Sequence, residues 1–267
     1  MLLASHRRRL AAEFSSWSRS EAARETLRGY AAGEVADTEA ACVREADLVV
    51  VATPVDAAAA SFRAIAPHLR PGCLVTDAGS VKAAVVRAAR AELPAGVKFV
   101  GAHPMAGSEK AGARNADAAL FEKRTCYVTP DGTEPRGAVE RVHAFWRSLG
   151  CVTEEIDPES HDALVAAVSH LPHAAAAALM LAVADRPGFR GEAAGSGLKD
   201  ATRIAAGEEH LWVGILMDNA VRVADGLAAL ESRSAELREA LRAGDADAVR
   251  RLLSEARRAR QSLDRPA

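Results

Sequence analysis

Residues 47–52, Asp-Leu-Val-Val-Val-Ala, constrain the fold more than any other stretch of the chain. This run is continuous, β-branched and bounded by turn-forming residues, which is typical of a strand buried on both faces of a parallel sheet. Further strands, with helices between them, are predicted at 13–17, 73–77, 97–100, 125–129 and 151–156. Strands that alternate with helices imply right-handed βαβ crossovers, so we predict an α/β fold with a doubly wound, mostly parallel sheet.

The pattern changes at Asp157. From Glu159 to Ser262 the sequence contains no strand-like run, only long helices rich in alanine, leucine and arginine. We therefore predict an α/β domain over residues 1–156 and an all-helical domain over residues 157–267. The last helices, predicted at 212–241 and 246–263, have the apolar stripe and charged face of packing partners.

Composition excludes several classes of function. The formal net charge of −2 over 267 residues provides no basic field of the kind that nucleic-acid binding needs. Four widely spaced cysteines indicate reduced thiols in a cytoplasmic protein. The longest apolar run, Ala174 to Ala184, is too short to span a bilayer. His170 and His173 share a helical face, but no third ligand has supporting spacing, so we predict no metal site.

The stretch 97–112, VKFVGAHPMAGSEKAG, is the strongest candidate for a functional site. Its first four residues predict a buried strand, and the polar, glycine-rich turn that follows is predicted to hold His103. Loops at the carboxyl ends of strands bind ligands in open α/β sheets, and a histidine can change protonation state near neutral pH. The segment GAHPMAGSEKAG resembles the signature loop of the prephenate/arogenate dehydrogenase family, which makes the aromatic ring of tyrosine.

Four more stretches resemble the same family and occur in the same order along the chain. The match departs from the family at Lys199, where arginine is usual, and at Leu198, where phenylalanine is usual. The matching stretches are DAGSVK at 77–82, SHD to SHLPH at 160–173, DATRIA at 200–205, and Trp212.

The resemblance implies an NADP- or NAD-dependent oxidative decarboxylation of prephenate or arogenate, and it assigns roles to residues. His103 would be the base that accepts a hydrogen bond from the substrate's 4-hydroxyl, and Ser80 would orient that hydroxyl. Arg203 would bind a substrate carboxylate. His170 would donate a hydrogen bond to the substrate. His173 and Trp212 complete the implied substrate site, although a tryptophan is more often a core residue and only the resemblance supports the substrate role of Trp212. His161 equally suits the surface of a helix N-terminus and the site.

The family's first strand and its GxGxxG turn, which holds the cofactor pyrophosphate, do not precede Leu2. The resemblance therefore places Met1 inside that turn and predicts weak cofactor binding by this chain. A start codon assigned too far downstream is the favoured explanation, and a truncated chain with an impaired cofactor site is the alternative. An organelle transit peptide is a second interpretation of residues 1–20. Ser18, Arg19 and Ser20 stand where an NAD enzyme carries a carboxylate, which favours NADP. The remaining cofactor contacts are predicted at Thr53, Pro54, Val55 and Ser80.

Two other functions remain open. A 3-hydroxyacid or 6-phosphogluconate-like dehydrogenase shares the two-domain plan but would place a lysine base on the first long helix of the second domain. The second alternative is a non-catalytic helical dimer without a cofactor loop. The family implies a homodimer through the C-terminal helices and a small-molecule substrate, and the residues do not choose between prephenate and arogenate.

Overall fold

The computed structural model describes residues 1–11, 13–106 and 112–263. The described residues of the α/β part form the strands β1 Ser15–Ser16, β2 Glu34–Val35, β3 Leu48–Val51, β4 Leu74–Asp77, β5 Lys98–Phe99, β6 Gly101–Pro104, β7 Thr125–Thr129 and β8 Val152–Glu155. They also form the helices α1 Leu2–Arg7, α2 Glu21–Gly29, α3 Glu39–Val43, α4 Ala58–Ile65, α5 Ala83–Glu92 and α6 Arg136–Ser148.

The strands form three hydrogen-bonded groups. β1 pairs with β2, and β3, β4 and β5 form a parallel sheet in that order. In the third group β7 lies between β6 and β8, antiparallel to β6 and parallel to β8. The predicted α/β fold with a mostly parallel sheet is therefore confirmed, with one antiparallel pair that the sequence did not indicate.

That antiparallel pair corrects the predicted position of His103. His103 lies in strand β6, opposite Tyr127 of β7, rather than in a turn after the strand at 97–100. β6 begins at Gly101, where an added Cβ would lie 2.5 Å from Thr129 Oγ1. A glycine is therefore required for the two strands to approach, and this small residue is what made the segment look like a turn.

The helices cover both faces of the sheet. Neighbouring residues of β4 point to opposite faces, so Val75 packs in a core with Phe62 and Val85, and Leu74 packs in a second core with Trp146. This two-sided core is the arrangement of a doubly wound fold.

Helices account for the regular structure that follows Asp157 in the described part of the chain. α7 Pro158–Val165, a π-helical turn Ala166–His170 and α8 Leu171–Ala184 run on without a break, followed by α9 Ser196–Thr202, α10 Glu209–Asp218, α11 Ala220–Arg242 and α12 Ala246–Ser262. The side chain of Asp157 starts this series by accepting hydrogen bonds from the backbone N–H groups of Glu159 and Ser160. The helix predicted at 212–241 is wrong in one respect, because Asn219 separates α10 from α11.

Length and composition alone would let the continuous helix 158–184 cross a membrane. Its first part instead packs against α5 and β7, and it carries the buried side chains of His161 and Asp162. The chain separates into two compact units, Met1–Ala220 and Val221–Ala267. The side chains described below all belong to the first unit.

α1 ends at Arg7, and Arg9 has a φ of +52°. A positive φ at a non-glycine residue is incompatible with a continuing right-handed helix.

Candidate active site

The turn after β4 is fixed to strand β6 by buried charges. Asp77 Oδ1 accepts a hydrogen bond from the Ala102 N–H at 3.0 Å, and Asp77 Oδ2 accepts from the Gly79 N–H and from Lys82 Nζ. Lys82, which is fully buried, also donates to the Ala102 carbonyl at 2.8 Å. Because Ala102 precedes His103, these bonds hold the DAGSVK turn and its half-buried Ser80 in register with the histidine strand.

His103 is buried and is the first member of a hydrogen-bonded row that includes His161 and Asp162. His103 Nδ1 lies 2.9 Å from His161 Nε2, and His161 Nδ1 lies 2.8 Å from Asp162 Oδ1. Burial is the main cause that lowers the pKa of His103 well below its usual value, with smaller contributions from His161, Lys82 and His170. His103 is therefore neutral at physiological pH.

Asp162 joins this chain to helix α5. Its two carboxylate oxygens accept the backbone N–H groups of Lys82 at 2.8 Å and Ala83 at 2.9 Å, which start the helix. Burial raises the pKa of Asp162, but the hydrogen bonds from His161, Ala83 and Lys82 outweigh it and hold the pKa below its usual value. A charged carboxylate thus lies beneath His161.

His161 settles an alternative that the sequence left open. It is fully buried within the fold rather than exposed on the helix surface. The buried residues of α7 are Pro158, His161, Asp162 and Val165, which have the i, i+3, i+4, i+7 spacing of an inward-facing stripe. This spacing is the signal that could have identified His161 and Asp162, because polar residues occupy two of the four inward positions.

His170 lies at the end of the π-helical turn, an irregularity that is frequent at functional sites. Asn219 Nδ2 donates to the Asp162 backbone carbonyl at 2.7 Å and lies 3.2 Å from His170 Nδ1. Burial lowers the pKa of His170 to about 4, so the ring is neutral at pH 7. Because its Nδ1 accepts from the amide, the ring hydrogen is on Nε2.

Asn219 was not predicted to belong to the site. The sequence interpretation placed it inside one long helix. A polar residue with low helix propensity in that position was the available signal.

His173 and Trp212 form a flat aromatic surface. Their rings stack with centroids 3.5 Å apart and planes 11° from parallel, and His170 meets Trp212 edge-on at 6.3 Å. Gly207 permits the stack, because an added Cβ would lie 2.5 Å from Trp212 Nε1. His173 Nδ1 is buried and has no hydrogen-bond partner among the residues that the structure describes.

Arg203 begins the 3-10 segment Arg203–Ala206, which packs against α8. Its side chain is exposed and forms no ion pair with any described residue. A charged, uncommitted guanidinium is suited to bidentate binding of a carboxylate. The structure therefore places an exposed guanidinium in a segment that packs against the helix carrying His173.

The predicted cofactor residues follow the carboxyl ends of parallel strands, where doubly wound folds bind dinucleotides. Ser18, Arg19 and Ser20 follow β1, and Ser20 caps α2 by accepting from the Ala23 N–H. Thr53, Pro54 and Val55 follow β3, and Ser80 follows β4. Thr53 accepts a hydrogen bond from Ser61, and Val55 is buried in the core.

α10 is anchored on the segment after β3, which brings Trp212 toward this strand edge. Gly214 of α10 faces Asp56, and an added Cβ there would lie 3.4 Å from the Asp56 side chain. Ile215 inserts into the same core as Val55. No group of three His, Cys, Asp or Glu side chains among the described residues is arranged to hold a metal ion.

Comparison with known proteins gives this arrangement a family. Residues 11–155 match the family model of the prephenate dehydrogenase nucleotide-binding domain, and residues 157–255 match the model of the prephenate dehydrogenase dimerization domain. A cyclohexadienyl dehydrogenase of Zymomonas mobilis is 33% identical over 255 residues, covering 93% of this chain and 86% of the relative.

Solved structures agree with these sequence matches. The crystal structure of prephenate dehydrogenase from A. aeolicus in complex with hydroxyphenyl propionate and NAD+ has a TM-score of 0.90 at 26% identity, covering 98% of this chain and 93% of that one. Synechocystis arogenate dehydrogenase has a TM-score of 0.79 at 25% identity, covering 98% and 95%. The chain belongs to the prephenate dehydrogenase family of NAD(P)-dependent oxidoreductases, which oxidatively decarboxylate prephenate or arogenate in tyrosine biosynthesis.

Proposed function

We propose that His103 is the hydrogen-bond acceptor for the substrate's 4-hydroxyl and that Ser80 orients the same hydroxyl. The observation that carries this proposal is a neutral, buried imidazole fixed beside the DAGSVK turn. A neutral imidazole can take the hydroxyl proton, whereas an imidazolium cannot, and such a base typically contributes about 10²–10⁴-fold to the rate.

The reaction sets what these residues must do. A nicotinamide held by Thr53, Pro54, Val55 and Ser80 would supply the acceptor for the hydride that leaves C4 of the substrate. His103 takes the 4-hydroxyl proton as the C4–O bond gains double-bond character. The ring then loses CO2 and becomes aromatic, and His103 returns the proton to the phenolic oxygen. Burial of His103 keeps this proton exchange away from bulk water.

Substrate binding is proposed for the helical side of the site. Arg203 pairs with a carboxylate, which is supported by its exposed and uncommitted guanidinium. His170 donates from Nε2, since Asn219 occupies Nδ1. The stacked rings of His173 and Trp212 provide a flat wall for the substrate ring.

NADP is the proposed cofactor, with NAD as the alternative. Arg19 is exposed and free of ion pairs among the described residues, so it can bind a 2'-phosphate beside Ser18 and Ser20. Glu21, the next carboxylate along the chain, is neutralised by Arg24 and Arg28. Thr53, Pro54, Val55 and Ser80 would contact the nicotinamide half.

The further proposals concern assembly and cell compartment. A family description that names a dimerization domain supports a homodimer, and we assign the contact to the C-terminal helices. A cytoplasmic location is also proposed, in keeping with relatives that are named as dehydrogenases. The alternative dehydrogenases with a lysine base are disfavoured, because the helix 158–184 contains no lysine. The predicted domains at 1–156 and 157–267 remain part of this proposal.

The purified protein tests the proposal in a four-way assay of prephenate or arogenate with NADP or NAD, each cofactor at saturating concentration because the sequence predicts that this chain binds it weakly. Formation of reduced nicotinamide together with CO2 from at least one pair is the expected result. Equal activity with a saturated substrate analogue that cannot become aromatic would contradict it, as would absence of activity in all four assays.

A further inference from the structure

We propose that His161 and Asp162 are positioning residues that fix the tautomer of His103, so that its Nε2 presents a lone pair to the substrate hydroxyl. The inference rests on the proposed role of His103 and adds two residues to the machinery behind it. It follows from four connected hydrogen bonds and from the donor capacity of each group.

The carboxylate of Asp162 sets the donor-to-acceptor direction of these hydrogen bonds. A carboxylate only accepts hydrogen bonds, and Asp162 already receives the backbone N–H groups of Lys82 and Ala83. Its third contact, 2.8 Å to His161 Nδ1, therefore places a hydrogen on that nitrogen. We assign His161 a single ring hydrogen, on Nδ1, so that its other nitrogen, Nε2, is an acceptor.

The second step transfers this constraint to His103. Since His161 Nε2 is an acceptor, the 2.9 Å contact requires His103 Nδ1 to carry the hydrogen. A neutral His103 then has its lone pair on Nε2, the nitrogen that does not contact His161. Without this chain the ring would be free to adopt the opposite tautomer, which presents N–H to a hydroxyl whose proton it has to accept.

Charged and titratable groups face the two histidines from each packed element. Lys82 opposes an added proton on His103, and Asp162 anchors the opposite end of the pair. Among the described residues these groups include Asp77 and Lys82 from the turn between β4 and α5, Tyr127 from β7, Asp162 from α7 and His170 from the π-helical turn.

Spectroscopy tests the tautomer without reference to activity. Long-range 1H–15N correlation spectra of the 15N-labelled protein report which ring nitrogen carries hydrogen, and the signals of His103 are assigned by their loss in His103→Asn. We expect hydrogen on Nδ1 and a lone pair on Nε2. Hydrogen on Nε2 of His103 in the unmodified protein would overturn the proposal.

A substitution connects the tautomer to catalysis. His161→Phe keeps a ring of similar size but removes both nitrogens, so we expect a mixed His103 tautomer and a fall in kcat of about 10²-fold with little change in KM. His161→Gln, whose amide has both a donor and an acceptor, should recover part of kcat. The control is His143→Phe, for which kcat should not change. His143 is a buried histidine of α6 that contacts Glu155 of β8.

Structural and positioning roles give different results. If His161 only joins α7 to the sheet, His161→Phe will lower the melting temperature while the His103 tautomer and kcat stay unchanged, and the proposal is then wrong. If the unmodified protein shows the expected tautomer but no dehydrogenase activity in the four-way assay, the proposed function fails while the tautomer assignment stands.

Discussion

Two neighbouring groups of polar side chains differ in how completely they are satisfied. The inner group is Asp77, Lys82, His103, His161 and Asp162, and the outer group is His170, His173, Arg203 and Trp212. Every member of the inner group is buried, and each is hydrogen-bonded to another member or to the backbone beside it. In the outer group the Arg203 guanidinium is exposed, and neither it nor His173 Nδ1 has a partner among the described residues.

This difference separates two tasks. A fully satisfied buried network has one low-energy arrangement, because any change leaves a charge or a hydrogen bond unpaired at a cost of about 1–3 kcal/mol. Such a network suits a proton acceptor whose lone pair must point in one direction. Unpaired groups suit binding, because a ligand can satisfy them without displacing a protein partner.

The two groups also hold histidines of opposite tautomer. Asp162, acting through His161, leaves a lone pair on Nε2 of His103, while Asn219 leaves a hydrogen on Nε2 of His170. A histidine thus serves as a hydrogen-bond acceptor in the inner group and as a donor in the outer group. The side-chain amide of Asn219 donates a hydrogen bond to the backbone carbonyl of Asp162, so the two residues that orient the rings are themselves connected.

The largest expected effect breaks the inner group. His103→Asn keeps a polar side chain in β6 but removes the imidazole base, so kcat should fall by about 10²–10⁴-fold while KM changes by only a few fold. Steady-state assays at saturating cofactor measure both constants. A near-normal kcat would show that the inner group is a structural network and that the base lies elsewhere.

The next effect tests the outer group. Arg203→Ala removes a charged hydrogen-bond donor, which is worth about 1.5–3 kcal/mol, so KM should rise by about 10- to 100-fold and kcat should change less. Arg203→Lys is the matched variant, since it keeps the charge but loses the planar fork and should recover only part of the affinity. An unchanged KM in both variants would remove Arg203 from the binding site.

Acid provides a test of both groups together. His103 and His170 have folded-state pKa values below 6.5, so the unfolded chain binds protons first and stability is lost as pH falls from about 7 toward 4. With a pKa of about 4, His170 alone should account for about 2 kcal/mol of destabilisation at pH 5. Urea unfolding at pH 7.5 and 5.0 measures the loss.

A matched variant isolates the contribution of His170 to this acid effect. His170→Gln cannot titrate, so its loss of stability between the two pH values should be smaller than that of the unmodified protein. An equal loss in both proteins would show that His170 is not neutral in the fold.

The contrast between the groups also explains how far the sequence was informative. The strands β3 and β4 and the position of His103 near Asp77–Lys82 could be predicted, because they depend on local patterns and on contiguous motifs. The antiparallel β6 could not, since it depends on Gly101 meeting Thr129, a residue 28 positions away. His161 was ambiguous because only the packed helix reveals that its face is inward.

Asn219 shows the same limit from the other side of the site. Its role depends on two contacts, to Asp162 and His170, that are formed by distant parts of the chain. Local propensity indicates that asparagine weakens a helix, but it does not indicate which partners the amide will find.

The smallest expected effect is on cofactor preference, and it concerns Arg19 in the segment Ser18–Ser20, which is more exposed than the inner group. Arg19 is solvent-exposed, so its contact with a 2'-phosphate is screened and should be worth about 1 kcal/mol. We expect the unmodified protein to have a higher kcat/KM with NADP than with NAD. Arg19→Ala should reduce that preference several-fold and leave kcat/KM with NAD unchanged, because NAD has no phosphate at that position. Arg7→Ala, at the end of α1, is the control for loss of one positive charge. Equal use of both cofactors by the unmodified protein would show that an exposed arginine after β1 does not select the cofactor, and that selection requires the kind of fixed, fully paired contact found in the inner group.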